Sequence, residues 1–158
     1  MDDLLNLKRS AVVEYRDSLD VYTGQAISQL TQSNLDHVVE LNLLRDCFDR
    51  VSGTSEDKAL LKHNVRSAAS IVPNLNFTTQ SINQMKHCEV RQFCDDFQNK
   101  QCHLDGLRFY LQQQRLTEDT RVNISEETAM SLDAITCFLS DHDEICGNIN
   151  EMMEKMVL

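Results

Sequence analysis

The sequence has few of the residues that interrupt regular structure. Among 158 residues there are four glycines and a single proline, Pro73, whereas average usage is roughly 7% glycine and 5% proline. Sheet proteins need many turns, and turns depend on these two residues. The shortage therefore disfavours an all-β fold and favours a few long helices.

Aromatic residues are also scarce, because tryptophan is absent and aromatic residues make up only 6% of the chain. Aromatic side chains line many ligand pockets, whereas the aliphatic content of this chain suits the seams between helices. The sequence contains no nucleophile elbow, no phosphate-binding glycine loop and no HExxH motif. We predict a protein without enzymatic activity, catalytic residues or cofactor.

No basic stripe runs along the chain, whose formal net charge is −10. Binding to nucleic acid needs such a stripe, so nucleic acid is not an expected partner. Residues 122–158 carry eight carboxylates and one lysine, and therefore −7 of the total. This acidic segment fits either a solvated helix face or a surface that attracts a basic protein partner.

The sequence shows neither a basic stretch followed by an apolar stretch at its start nor an apolar run of about 20 residues. We therefore predict no membrane span. A cytoplasmic location is expected, with a nuclear one also compatible.

The spacing of apolar residues predicts five helical segments. Capping residues, glycine and proline set their ends. The predicted segments are Asp2–Thr31, Ser33–Gly53, Ser55–Val72, Thr79–Leu116 and Ser125 to the C-terminus, with loops at Asn74–Thr79 and Thr117–Asn123.

The second and third segments, joined end to end across Gly53, match the fourth in length. The chain is thus predicted to be all-α, a single domain over residues 1–158. We expect an elongated antiparallel bundle of about four long helices, one broken near Gly53, with coiled-coil-like seams. A more open arrangement, in which some helices pair with another chain, fits equally. The plan is similar to spectrin-like and other helical-bundle scaffolds.

The last predicted helix has the most regular repeat, with apolar residues at two heptad positions. We predict that this seam binds a partner helix, and that His142 helps to set its register. The seam consists of Leu132, Ile135, Leu139, His142, Cys146, Ile149, Met153 and Met156.

The six cysteines are scattered through the predicted helices, where they can act as small apolar residues. They are Cys47, Cys88, Cys94, Cys102, Cys137 and Cys146. An even number of cysteines also suits disulfides in a secreted protein. Glycosylation sequons begin at Asn76 and Asn123. The alternative interpretation is therefore a secreted, disulfide-stapled four-helix protein that acts as a ligand or inhibitor.

A group of five residues could suggest a zinc site: His87, Cys88, Cys94, Cys102 and His103. Zinc sites usually need a tight turn that brings the ligands around the ion. One straight helix cannot place four of these side chains around one ion, and a site would need ligands from elsewhere, so we predict no metal.

These patterns together favour a non-catalytic scaffold or adaptor subunit of a larger complex, of the cytoskeletal, kinetochore, tethering or trafficking type. Its expected partners are proteins bound by helix–helix packing, in a homo- or hetero-oligomer.

Overall fold

The structure, a computed structural model, describes residues 2–49, 55–101, 104–113 and 115–141. Its helices are α1 Asp2–Tyr15, α2 Leu41–Asp49, α3 Ser55–Ala69, α4 Gln80–Gln98, α5 Gly106–Leu111 and α6 Glu118–Ser140. Two strands, β1 Ser33–His37 and β2 Leu75–Thr79, and two 3-10 turns, Ile27–Gln29 and Val72–Asn74, complete the described elements. The prediction of a mostly helical chain is confirmed, but the all-α prediction is wrong because of the sheet.

The two strands pair antiparallel, with Ser33 opposite Thr79 and His37 opposite Leu75. Helices α2 and α3 lie between the strands in sequence, and α4 follows β2 without a loop. The first four residues of β2 are buried. The segment Asn74–Thr79, predicted as a loop, therefore contains the more buried strand of the two-stranded sheet.

The first predicted helix, Asp2–Thr31, is much shorter in the structure and ends at Tyr15. Asp17 adopts the left-handed conformation at φ 52°. The amide of Ser18 donates to the carbonyl of Val13 at 2.8 Å. This is the Schellman helix stop, which usually places glycine at the left-handed position. An aspartate there costs about 1–2 kcal/mol of intrinsic strain, and it leaves no stop signal in the sequence.

The fourth predicted helix, Thr79–Leu116, is interrupted in the same way. Its start is confirmed, because the Thr79 hydroxyl accepts from the amide of Ile82 at 3.3 Å. Its end lies at Gln98, where Lys100 is left-handed at φ 57°. The amide of Gln101 donates to the carbonyl of Asp96 at 2.8 Å, again closing a Schellman motif. The chain then turns and α5 packs back against α4.

The second predicted helix is corrected at its start, since Ser33–His37 forms β1 and α2 begins only at Leu41. The amide of Val38 continues the strand pairing by donating to the carbonyl of Asn74 at 2.8 Å. Apolar spacing of three residues at Leu35, Val38 and Leu41 suits a helix, but pairing with β2 satisfies this backbone instead. The predicted break at Gly53 lies outside the described residues.

The third predicted helix corresponds to α3, which ends at Ala69, before the 3-10 turn that contains Pro73. The last helix begins earlier than predicted, at Glu118 instead of Ser125. Its cap is Thr117, whose hydroxyl accepts from the amide of Thr120 at 3.2 Å. Two acidic residues in the first turn favour this start, because they complement the helix dipole.

The main core joins one face of each of the helices α2 to α6. Its largest fully buried apolar side chains include Phe93, Leu107, Ile124, Ile135 and Leu139. A smaller cluster of Val12, Leu75 and Phe77 fixes α1 against β2. The described residues thus form a helix-rich fold around a short sheet, and they do not confirm an elongated four-helix bundle. Among the described helices, none combines the length and hydropathy needed to cross a membrane.

Candidate functional site: a buried charge cluster at the hairpin–helix junction

Several ionisable side chains meet where β1 ends and α4 begins. The group consists of Tyr22, Asp36, His37, Glu40 and Lys86, and is called here the hairpin–helix cluster. β1 supplies Asp36 and His37. Lys86 comes from α4, the helix that directly follows β2. The short β2–α4 connection therefore brings the lysine under the end of β1.

Lys86 is the centre of this cluster, and its side chain is completely buried. Its ammonium lies 2.8 Å from Oδ2 of Asp36 and 3.4 Å from Oε1 of Glu40. It also donates to the carbonyl oxygens of His37 at 2.6 Å and Val38 at 3.1 Å. A buried ammonium without partners would be strongly unfavourable. Its three N–H groups are matched by Asp36 and by the carbonyls of His37 and Val38, while Glu40 adds an ion pair without a hydrogen bond to its Oε1.

The Tyr22 hydroxyl donates to the same Oδ2 atom of Asp36, at 2.6 Å. Burial raises the pKa of Tyr22 well above 10.0, and the negative charge of Asp36 raises it further. Burial also raises the pKa of Asp36, while Lys86 acts in the opposite direction and lowers it. The tyrosine therefore remains a proton donor to the carboxylate at neutral pH.

A second buried carboxylate, Asp20, ties the chain after α1 to the sheet. Its Oδ1 accepts from the amide of Tyr22 at 3.0 Å and from Nδ2 of Asn76 at 2.9 Å. Its Oδ2 accepts from the hydroxyls of Thr23 at 2.9 Å and Thr78 at 3.0 Å. The carboxylate thus has four donors, and its burial is compensated.

Asn74, just before β2, joins three backbone segments. Its Oδ1 accepts from the amide of Val39 at 2.7 Å. Its Nδ2 donates to the carbonyls of Val39 at 3.2 Å and Ala69 at 2.9 Å. The chain that leaves β1 is therefore held in one position relative to the end of α3 and the start of β2.

His37 and His87 lie on the outer side of the cluster, next to Glu40. Burial lowers the pKa of His37; Lys86 and Lys8 also lower it, while Glu40 acts in the opposite direction. Nδ1 of the exposed His87 lies 3.5 Å from Oε2 of Glu40. His37 is therefore mainly neutral at pH 7, and a neutral imidazole can accept a proton.

The shifted pKa values of the cluster fit either a functional site or a structural ion-pair network. Groups with shifted pKa values often mark functional sites, but structural ion-pair networks shift pKa values too. Here the charges of Asp36 and Lys86 compensate each other at 2.8 Å and Tyr22 donates to the same carboxylate, which is the mark of a network that fixes a fold. Within the described ranges, no group of three or more His, Cys, Asp or Glu side chains could hold a metal ion.

The predicted partner-binding seam is described only in its first part. Leu132, Ile135 and Leu139 are all buried, and they belong to the main core of this same chain. In this fold their side chains are occupied by intramolecular packing. The other five predicted contacts, His142, Cys146, Ile149, Met153 and Met156, lie outside the described residues.

The glycosylation sites of the alternative interpretation are occupied by internal contacts. Asn76 is completely buried and bonded to Asp20. Nδ2 of Asn123 donates to the carbonyl of Tyr22 at 3.0 Å. A glycan on Asn76 is therefore incompatible with this fold.

The cysteines are only partly described. Cys88 and Cys137 carry exposed free thiols, and Cys94 packs in the main core. The side chains of Cys47, Cys102 and Cys146 lie outside the described part of the chain, as does His103.

The described part of the chain leaves an apolar stripe exposed on α1. Leu7 is 68% exposed and Tyr15 is 52% exposed, with the half-buried Ala11 between them. These residues are four apart and therefore lie on one helix face. They are called here the α1 stripe.

The sequence contained one usable signal for the hairpin–helix cluster. Asn74, Asn76 and Thr78 alternate with apolar residues, and a two-residue period indicates a strand. The Asp36–Lys86 pair had no such signal, because 49 intervening residues hide it and only the sheet pairing reveals it.

No protein-family model matches the chain, and comparisons with curated proteins and with solved structures found no match. The function is therefore inferred from the geometry of this chain alone.

Proposed function

We propose that the protein is a non-catalytic interaction module, acting as a scaffold or adaptor subunit that binds an amphipathic helix of a partner protein on α1. The observation that carries this proposal is the α1 stripe of Leu7, Ala11 and Tyr15. Two large exposed apolar side chains, Leu7 and Tyr15, on one face of a surface helix suit helix–helix docking.

The rigid mounting of α1 supports this role. Arg16, next to the end of α1, donates from Nε to the carbonyl of Leu75 at 2.9 Å and from Nη2 to that of Pro73 at 2.8 Å. Its Nη1 lies 2.9 Å from Oε2 of Glu127 on α6. A helix held at a fixed position presents a partner with a preformed surface, which lowers the cost of binding.

The heptad residues beyond Asp141 extend the proposal. His142, Cys146, Ile149, Met153 and Met156 continue a seven-residue repeat, and we propose them as contacts of a coiled-coil-like seam. A cytoplasmic or nuclear location belongs to the same proposal. The exposed thiols of Cys88 and Cys137 suit a reducing compartment.

The proposal is tested by size-exclusion chromatography of an extract from cells that normally make the protein, which measures the size at which the protein elutes. The wild-type chain is expected to elute with a partner, and the double change Leu7→Glu with Tyr15→Glu to elute at monomer size. Leu60→Glu is the matched control, because Leu60 on α3 is also 52% exposed. A wild-type chain that elutes as a monomer would refute the proposal.

A further inference from the structure

A cavity of about 320 Å³ lies between α5 and α6, away from both the hairpin–helix cluster and the α1 stripe. Its walls are mainly apolar, with the buried Leu107 and Leu111 on α5 and the exposed Val122 and Ala129 on α6. Its volume falls in the range of about 300–1,000 Å³ typical of small-molecule sites.

Two hydrogen-bond donors at or next to this cavity have no acceptor among the described residues: Oγ of Ser125 and Nε of Arg121, both shielded from solvent. Ser125 lines the cavity itself. Arg121 lines an adjoining hollow of about 390 Å³, which shares Gln112 and Val122 with the cavity. The two donors are four residues apart on α6, so they lie on the same helix face.

The neighbouring polar groups are already engaged, which singles out these two donors. The hydroxyl of Thr128 donates to the carbonyl of Ile124 at 2.7 Å. Nη1 of Arg121 donates to the carbonyl of Gln112 at 2.9 Å. A buried donor without an acceptor costs about 1–3 kcal/mol. Such groups in a native fold often have a binding role or an unseen partner.

The charges around the cavity favour an anionic acceptor at this point. Arg121, which is half-buried, carries one of the two unpaired donors, and the exposed Arg108 lines the cavity. Glu126 and Glu118 line the cavity and the hollow, but both are exposed to water. Their repulsion is therefore screened more than the attraction of the half-buried arginine.

We propose that this cavity binds a small amphipathic carboxylate, such as a medium-chain fatty acid. Its alkyl chain lies among the apolar residues, and its carboxylate accepts from Nε of Arg121 and Oγ of Ser125. Charge-assisted bonds of this kind are stronger than neutral ones. This inference is independent of the proposed binding of a partner helix on α1.

The experiment is a titration of the whole chain with sodium decanoate below its micelle-forming concentration, followed by calorimetry and by ¹H–¹⁵N NMR. Decan-1-ol, with the same chain but no carboxylate, is the matched ligand. Ser125→Ala and Arg121→Gln remove the donors, and Arg121→Lys keeps the charge if Arg121→Gln fails to fold. Ala129→Phe fills the cavity, and Ser81→Ala is the control at an exposed serine.

Decanoate is expected to shift amide resonances of α5 and α6 and to bind about tenfold more tightly than decanol. Each donor variant should weaken decanoate binding about tenfold, Ala129→Phe should abolish it, and Ser81→Ala should leave it unchanged. Equal affinity for the acid and the alcohol would overturn the proposal. So would decanoate binding that persists in Ser125→Ala and Arg121→Gln, or a cavity already covered by a second copy of the chain.

Discussion

The ammonium of Lys86 lies 2.8 Å from Oδ2 of Asp36, and both side chains are removed from solvent. The lysine belongs to α4 and the aspartate to β1, so this pair joins the helix to the strand at the centre of the fold. Tyr22 donates to the same oxygen at 2.6 Å, which makes Asp36 the shared acceptor of two elements. Four predictions follow from these contacts and from the polar groups around them.

Lys86→Met should lower the free energy of unfolding by about 3–5 kcal/mol, because it leaves the carboxylate of Asp36 buried without its cation. Urea denaturation of the purified chain measures this change. Lys62→Met, on the exposed face of α3, should alter stability by less than about 0.5 kcal/mol. The double variant Lys86→Met with Asp36→Asn should recover part of the loss. A cost below about 1 kcal/mol for Lys86→Met would contradict a structural role of the pair.

Asn74→Ala should destabilise the fold by about 2–4 kcal/mol, since it removes the side-chain bonds to the amide and carbonyl of Val39 and to the carbonyl of Ala69. Asn6→Ala on the exposed face of α1 is the matched control. Thermal or urea unfolding followed by circular dichroism measures both. Equal stability of the two variants would show that these bonds do not hold the hairpin.

His37→Gln should change how stability depends on pH. Because the folded protein lowers the pKa of His37 below 6.5, it binds this proton more weakly than the unfolded chain does. The stabilising contribution is therefore complete above pH 6.5 and is lost as the pH falls through the folded pKa. The free energy of unfolding, measured in urea from pH 7.5 down to pH 5, should fall less in His37→Gln than in the wild-type chain.

Asp36 has the opposite effect, because burial raises its pKa above 3.8. Its contribution favours the folded state at low pH and is lost as the pH rises through its folded pKa.

His63→Gln, a change of an exposed histidine, serves as the control for His37→Gln. If the free energy of unfolding depends on pH in the same way in His37→Gln, His63→Gln and the wild-type chain, then folding does not lower the pKa of His37.

Asn76 should stay unmodified when the chain is expressed through a secretory pathway and purified in its folded state. Its amide is buried and bonded to Asp20, so it cannot carry a glycan without breaking the sheet contacts. Mass spectrometry of the intact folded protein, before and after glycosidase treatment, measures occupancy. A folded glycoform at Asn76 would show that this part of the structure is wrong.

The sequence alone determined the mostly helical character of the chain and the positions of several helix boundaries. The start of a helix at Thr79 was predicted because the apolar repeat begins after the loop, and the structure adds that the Thr79 hydroxyl caps this helix. Pro73 marked the end of a helical region for a similarly local reason. Such features need only neighbouring residues, which the sequence displays directly.

Only the tertiary structure decided where α1 and α4 stop and that a sheet exists. Asp17 and Lys100 take the left-handed conformation usually given to glycine, so their turns leave no local mark. β1 and β2 pair across more than 30 residues of intervening chain. The Lys86–Asp36 contact depends on that pairing. A pattern of neighbours cannot specify it, because distant backbone and side-chain groups satisfy one another only after the chain has folded.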